Sequence, residues 1–227
     1  MVDPASDRLP IDVLPFQTHE AANVVVVTPV YEDVEASTRL FEELYKVFGD
    51  KVFVVAVDDG SVQNPLTEQA LRKTQGQVLK LKRNVGHQRA IAIGLAYISQ
   101  GLREDQRAVI MDSDGEDLPA TIEKLLTAID DDSVDVAVSH RKSRIETLRF
   151  KMFYVVYKLF FRLMTGRKIS FGNFMALKLQ SVRRLVAMHE LPIHVAAAVI
   201  ASKLRISVVS IDRGRRYAGQ SKMNFVG

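Results

Sequence analysis

Four acidic side chains, Asp112, Asp114, Glu116 and Asp117, fall within six positions directly after the apolar run Val109-Ile110-Met111. Carboxylates crowded this closely repel one another unless a positive charge sits among them. On an extended backbone Asp112 and Asp114 leave from the same face. Two hard oxygen ligands at a strand end suit Mg²⁺ or Mn²⁺ better than zinc, which more often recruits His or Cys. The same residues also suit a solvated acidic turn, with Asp117 capping a helix entered through Pro119.

Two further clusters could do chemistry. Asp58-Asp59-Gly60-Ser61 closes another apolar run. A carboxylate there can accept hydrogen bonds from a ribose hydroxyl or a nucleobase imide, and Gly60 permits close backbone approach. A plain Asp-Gly turn is the alternative. Arg83-Asn84-Val85-Gly86-His87-Gln88 stands at a strand-to-helix junction, where a helix N-terminus beside an Arg suits phosphate. A glycine-entered, capped helix reads equally well. His87, opening that helix, reads as a polar cap rather than a base, and His140 and His194 have weaker claims.

The elements that must position these clusters alternate along the chain. Apolar runs predict strands at Val24–Val27, Val52–Val57, Val78–Leu81, Ala108–Met111 and Val134–Val138. Between them, helical patterns cover Val34–Phe48, Asn64–Thr74, His87–Ser99 and Pro119–Ile129. Continuous apolar strands alternating with helices predict an α/β fold, a doubly wound parallel sheet covered on both faces. Ligands of such sheets bind off the carboxyl ends of the strands. The clusters at Thr28–Asp33, Asp58–Ser61, Arg83–Arg89 and Asp112–Asp117 all follow predicted strands, so they should converge on one edge.

Composition bounds the partners. The 227 residues suffice for one large domain, and the absence of cysteine excludes disulfides and thiolate metal sites. The acidic N-terminus (Asp3, Asp7, Asp12, Glu20) lacks a signal-peptide apolar segment. No apolar stretch reaches the ~18–20 residues that span a bilayer. The net charge of +4 hides an asymmetry, −11 over residues 1–140 against +15 over 141–227. A basic block of that size calls for an anionic partner. Arg149–Met164 is a helical candidate holding Phe150, Phe153, Tyr154, Tyr157, Phe160 and Phe161, with Lys151, Lys158 and Arg162 interleaved. It suits either a core helix with snorkelling lysines or an interfacial helix on lipid headgroups. The acidic half beside it argues against nucleic acid.

In order, Thr28-Pro29-Val30-Tyr31, Asp58-Asp59-Gly60-Ser61, the Arg83–Gln88 segment and Met111-Asp112-Ser113-Asp114 resemble the family-2 glycosyltransferases of GT-A fold. More narrowly, the chain is similar to the polyprenyl-phosphate glycosyltransferases, which include dolichol-phosphate mannose synthase and bacterial undecaprenyl-phosphate sugar transferases. That likeness rests on Arg83–Gly94, Asp112–Pro119, Phe171-Gly172-Asn173-Phe174 and Arg216-Tyr217-Ala218-Gly219-Gln220-Ser221-Lys222, and covers about residues 23–224. It implies a Rossmann-like GT-A domain over residues 23–227 after a lead-in at 1–22, with a nucleotide and metal half (23–140) and a basic acceptor- and membrane-facing half (141–227).

The resemblance also implies roles. Pro29, Tyr31, Glu32, Asp33, Asp58, Asp59, Gly86, Gln88 and Ser113 would hold the donor nucleotide. Asp112 and Asp114, with Glu116, would hold Mg²⁺ or Mn²⁺ on the donor diphosphate, and Asp117 would orient the acceptor. Arg216, Ser221 and Lys222 would cover the diphosphate or the acceptor phosphate, and Arg141 and Arg144 would take the lipid phosphate. The implied reaction is inverting transfer of a sugar, from a UDP-sugar rather than a GDP-sugar, to a polyprenyl phosphate at the cytoplasmic membrane face. Residues 149–164 would meet the membrane surface.

The sequence departs from the family pattern at three places. Tyr31-Glu32-Asp33 stands where Tyr-Asn-Glu is usual, Glu116 replaces a neutral Gln ligand, and Asn173 sits where Asp is frequent. Many relatives continue into transmembrane helices after the Ser-Lys motif, whereas this sequence stops at Gly227. It would dock by its basic face or through an anchoring segment beyond it. Two rival readings keep the fold: a transferase with a saccharide or protein hydroxyl as acceptor, and a non-catalytic, membrane-docked sugar-nucleotide module.

Overall fold

A strand flanked by helices on both sides of its sheet must be apolar on both faces, and Val24–Val30 is buried at every position. The computed structural model describes residues 15–141 and 171–217. Its strands are β1 (Val24–Val30), β2 (Val52–Asp58), β3 (Gln75–Lys80), β4 (Arg107–Ile110), β5 (Val136–Arg141), β6 (Met175–Leu177) and β7 (Ile206–Ile211). The helices are α1 (Val34–Phe48), α2 (His87–Ile98), α3 (Ile122–Ile129), α4 (Leu179–Val186) and α5 (Val195–Ala201).

The strands form one seven-stranded sheet in the order β3-β2-β1-β4-β6-β5-β7. Pairings within β3-β2-β1-β4 are parallel, as is β5 with β7, whereas β6 runs antiparallel to both β4 and β5. The α/β class and the mostly parallel, helix-covered sheet agree with the alternation in the sequence. Successive side chains divide between two cores. Val25, Val27, Val55 and Ile110 pack with α2, α4 and α5 on one face. Val24, Val26, Val54 and Val109 pack with α1 and α3 on the other. Phe16 and Ala22, from the lead-in, are buried in the first core, and Phe16 meets Phe53 and Tyr97 edge to face.

Two sequence expectations are corrected here. The helix expected at Asn64–Thr74 is only a 3-10 turn at Glu68–Leu71, ended by Arg72 at φ +55°, and the backbone donors before it, at 61–64 and 66, are held by the carboxylates of Asp58 and Glu32. The fifth strand begins at Val136 rather than Val134 and runs on to Arg141. The 149–164 helix lies outside the described residues.

The helix that carries His87 and Gln88 lies close against the sheet. A Cβ on Gly94 would come within 2.5 Å of Val27 Cγ1 and 3.0 Å of Val57 Cγ2. Glycine to alanine in a helix interior ordinarily stabilises by about 1 kcal/mol. Here Gly94→Ala should instead destabilise by about 1–3 kcal/mol through overpacking, read from the denaturant midpoint. A stabilised variant would show that α2 has room to move away.

Candidate functional site

Because β3, β2, β1 and β4 are parallel neighbours, their C-terminal loops share one edge, and side chains bind them to each other. Asp58, at 2% exposure, accepts the N–H groups of Ser61 (3.0 Å) and Leu66 (2.9 Å), folding the loop after β2 over its own carboxylate. Asp59, at 3% exposure, accepts Val85 N–H (2.7 Å) and Gly86 N–H (3.0 Å) from the loop after β3. Burial pushes the Asp59 pKa up, against the pull of those two donors. Gly60, at φ +73°, passes so near this loop that a Cβ would come within 2.4 Å of the Arg83 carbonyl carbon. Only glycine meets both demands.

Glu32 reaches from the end of β1 to the same region. Its carboxylate accepts Val62 N–H (2.6 Å), Gln63 N–H (3.0 Å) and Asn64 N–H (2.7 Å), and its own N–H donates to Ser61 Oγ (2.8 Å). Glu32 thus closes a nest of three donors, a task for a charged acceptor rather than the amide usual in the family. Asp33 caps α1 through Ala36 N–H (3.4 Å). Tyr31 is 44% exposed beside these loops. The Pro29 carbonyl accepts Ser113 Oγ–H (3.1 Å), joining the β1 and β4 loops. Gln88 joins α2 to α5, its Oε1 accepting Val195 N–H (2.8 Å).

The acidic cluster is a turn rather than a strand continuation, since β4 ends at Ile110. Asp112 and Asp114 therefore do not share a strand face. Asp112 lies 3.3 Å from His87 Nε2, which also stands 3.1 Å from Asn173 Nδ2. Burial opposes protonation of His87, but the Asp112 hydrogen bond and the charges of Asp112, Asp114 and Asp59 outweigh it and raise its pKa. Gly86, not His87, is the N-cap of α2. Asp117, at 5% exposure, accepts Asp112 N–H (3.2 Å), and the N-cap of the following turn is Leu118.

Asp114 Oδ1 accepts Glu116 N–H (3.0 Å), and its Oδ2 accepts Arg216 Nη2–H (2.6 Å). Glu116 pairs with Arg213 and lies 3.7 Å from Arg216 Nε. Two guanidinium groups therefore supply the positive charge that the cluster demands. Among the described residues, no three His, Asp or Glu side chains converge as a ready metal cage. A cleft beside the cluster is lined by Glu116, Asp117, Ser139, Phe174, Asp212 and Arg213. Arg141 ends β5 opposite Ile211, and Arg144, Ser221 and Lys222 lie outside the described residues. Arg213 was not picked out from the sequence, although the Arg213-Gly214-Arg215-Arg216 run was the available signal, and Tyr217 was noted only as part of the Arg216–Lys222 motif, with no role of its own.

The Asp59 contacts make a direct prediction. Asparagine offers one acceptor where Asp59 offers two, so Asp59→Asn should lower stability by about 1–3 kcal/mol in denaturant unfolding. Amide exchange at Val85 and Gly86 should also quicken. An unchanged midpoint with protected amides would show that another group holds the loop.

Comparisons with known proteins agree with this geometry. The family model described as Glycosyl transferase family 2 matches residues 25–182. The Staphylococcus aureus TarS structure (residues 1–349) superposes with a TM-score of 0.57 at 19% identity, covering 84% of this chain and 59% of that one. A mannosyltransferase from Pyrobaculum calidifontis, solved with GDP-Man and Mn²⁺, gives 0.58 at 17% identity, with 94% and 62% covered. Glucosyl-3-phosphoglycerate synthase from Mycobacterium tuberculosis, solved with Mn²⁺, UDP and phosphoglyceric acid, gives 0.61 at 14% identity, with 87% and 72% covered. The present chain thus spans less than two thirds of the first and second of these. No curated protein sequence matches it. Likeness at these identities establishes the fold alone, but the family match runs from β1 into α4 and takes in all four strand-end loops. The chain is a member of glycosyl transferase family 2, with the GT-A fold.

Proposed function

We propose that the protein transfers a sugar, with inversion, from a nucleotide-sugar donor to a polyprenyl phosphate at the cytoplasmic membrane face. The observation that carries the donor half is that Asp114 and Glu116 share the Arg216 guanidinium just after β4, with Asp112 against His87 two residues earlier on the same turn and Ser113 tied to the β1 loop. All three are hard oxygen donors, and the guanidinium groups among them stand in for a cation. The donor set therefore fits Mg²⁺ or Mn²⁺, the ions in the solved Mycobacterium and Pyrobaculum relatives. Bound there, the ion would neutralise the leaving nucleoside diphosphate. A UDP-sugar is the favoured donor. Tyr31 and the Glu32- and Asp59-ordered loops would form the nucleoside side, with these acids acting through the backbone they fix.

The acceptor half rests on charge. Residues 141–227 carry a balance of +15, and aromatics alternate with Lys and Arg over 149–164, a composition suited to an anionic lipid surface. A phosphate monoester is already an anionic nucleophile near neutral pH and needs positioning more than a base. Its oxygen would attack the anomeric carbon as the bond to the diphosphate breaks and the nucleoside diphosphate departs with the electron pair. Arg141, Arg144 and the Arg216–Lys222 segment would hold the phosphates. Among the described residues no helix is long and apolar enough to cross a membrane.

A second reading places a neutral hydroxyl acceptor beside Glu116, Asp117, Asp212 and Arg213. Three carboxylates against one guanidinium suit a neutral hydroxyl acceptor better than a phosphate, and a carboxylate there would act as general base. The deciding assay offers UDP- and GDP-sugars with Mn²⁺ or Mg²⁺ and a short polyprenyl phosphate or a soluble saccharide. Sugar-lipid should form, chelation should abolish it, and Asp114→Asn should lower kcat/KM about a hundredfold or more. Product from the saccharide alone would establish the second reading. Nucleotide binding without product from any acceptor would mark a non-catalytic module.

A further inference from the structure

The segment after β7, residues 212–217, is fastened along the acidic turn. Gly214 N–H donates to the Glu116 carbonyl (2.9 Å) and Tyr217 N–H to the Asp114 carbonyl (2.9 Å). Tyr217 is the far anchor. Its ring lies where Gly115 has no side chain, since a Cβ there would come within 2.6 Å of it. Its hydroxyl donates to Glu43 on α1, and the Arg39 guanidinium sits 4.4 Å from the ring centroid. Held this way, the strap delivers Arg213 to Glu116 and Arg216 to Asp114.

The same contacts carry a cost. Arg213 Nε is buried with no hydrogen-bond partner among the described residues. Two like charges side by side in a partly buried site are favoured only while the carboxylates lack another cation.

We propose that the 212–217 strap is a latch that a divalent cation opens by taking Asp114 and Glu116 from Arg216 and Arg213. This rests on the metal reading given under the proposed function and extends it to regulation of the same site. The oxygens a cation needs are those the guanidinium groups hold, and a dication beside two guanidinium groups is repelled. Strap docking and cation binding are therefore negatively coupled, and each weakens the other by the same factor. Opening releases two arginines beside the diphosphate position, so phosphate-binding charge becomes available only when the cation arrives.

The test titrates the full chain with Mn²⁺ alone, following free Mn²⁺ by its EPR signal. Arg216→Met removes one clasp and should tighten Mn²⁺ binding about tenfold. Tyr217→Phe leaves every cationic and carboxylate side chain in place and only loosens the anchor to Glu43, so a gain of about two- to fivefold is expected. Arg215→Met removes an equal charge from an exposed neighbour and should change affinity by less than about twofold. In fluorotyrosine-labelled protein, the Tyr217 ¹⁹F resonance, assigned with Tyr217→Phe, should shift over the Mg²⁺ range that fills the site. If wild type binds Mn²⁺ but Arg216→Met and Tyr217→Phe leave affinity unchanged, or Arg215→Met matches Arg216→Met, the latch is wrong while the metal reading stands. If neither wild type nor any variant binds Mn²⁺, the metal reading itself falls.

Discussion

Carboxylates gathered at one edge of a parallel sheet must find donors, and which donors they find shapes everything on that edge. Asp58, Asp59 and Glu32 take backbone N–H groups, at Ser61 and Leu66, Val85 and Gly86, and Val62 to Asn64 respectively. Those bonds draw the loops after β1, β2 and β3 into one surface. Asp114 and Glu116 take guanidinium groups from a distant part of the chain. Acids that meet the backbone become architecture, whereas acids that meet mobile cations remain exchangeable. A single edge can therefore hold both a rigid floor and a site open to substitution.

That division reassigns residues that family likeness groups together. Asp58 and Asp59 are almost wholly buried, and each uses both oxygens on amides, so they act on a donor through loop shape. Glu32 closes a three-donor nest that an asparagine could not neutralise, which gives a physical reason for its departure from the family pattern. Gln88 ties α2 to α5. His87, read from sequence as a cap, instead stands between Asp112 and Asn173, beside the candidate metal ligands rather than at the helix end.

The first half of the fold was legible because β1, β2 and nearly all of β4 are buried on both faces and α1 and α2 mark the crossovers on either side of β2 and β3. Val24–Val27 and Val52–Val57 read as strands with no knowledge of their partners, and the strands run on to Val30 and Asp58. Legibility failed where structure depends on distant pairing. The three residues of β6 form a strand only because they slot antiparallel between β4 and β5, and no local periodicity marks them. The Asn64–Thr74 pattern is helical in its apolar spacing, yet only the 3-10 turn at Glu68–Leu71 forms, closed by Arg72 at φ +55°. Convergence of the strand-end clusters could be deduced from parallel topology. Partner choice could not, since Tyr217 meets Glu43 across 174 positions, and nothing near either residue announces the other.

In the proposed site, Asp112, Asp114 and Glu116 hold a cation for which the strap arginines are resident competitors. Anomalous diffraction at the manganese edge, from crystals equilibrated with Mn²⁺ and UDP, addresses it most directly. One peak is expected among these carboxylates, with Arg213 and Arg216 withdrawn from Glu116 and Asp114. No peak at this turn, or a peak elsewhere with both guanidinium groups still clasped to the carboxylates, would contradict it.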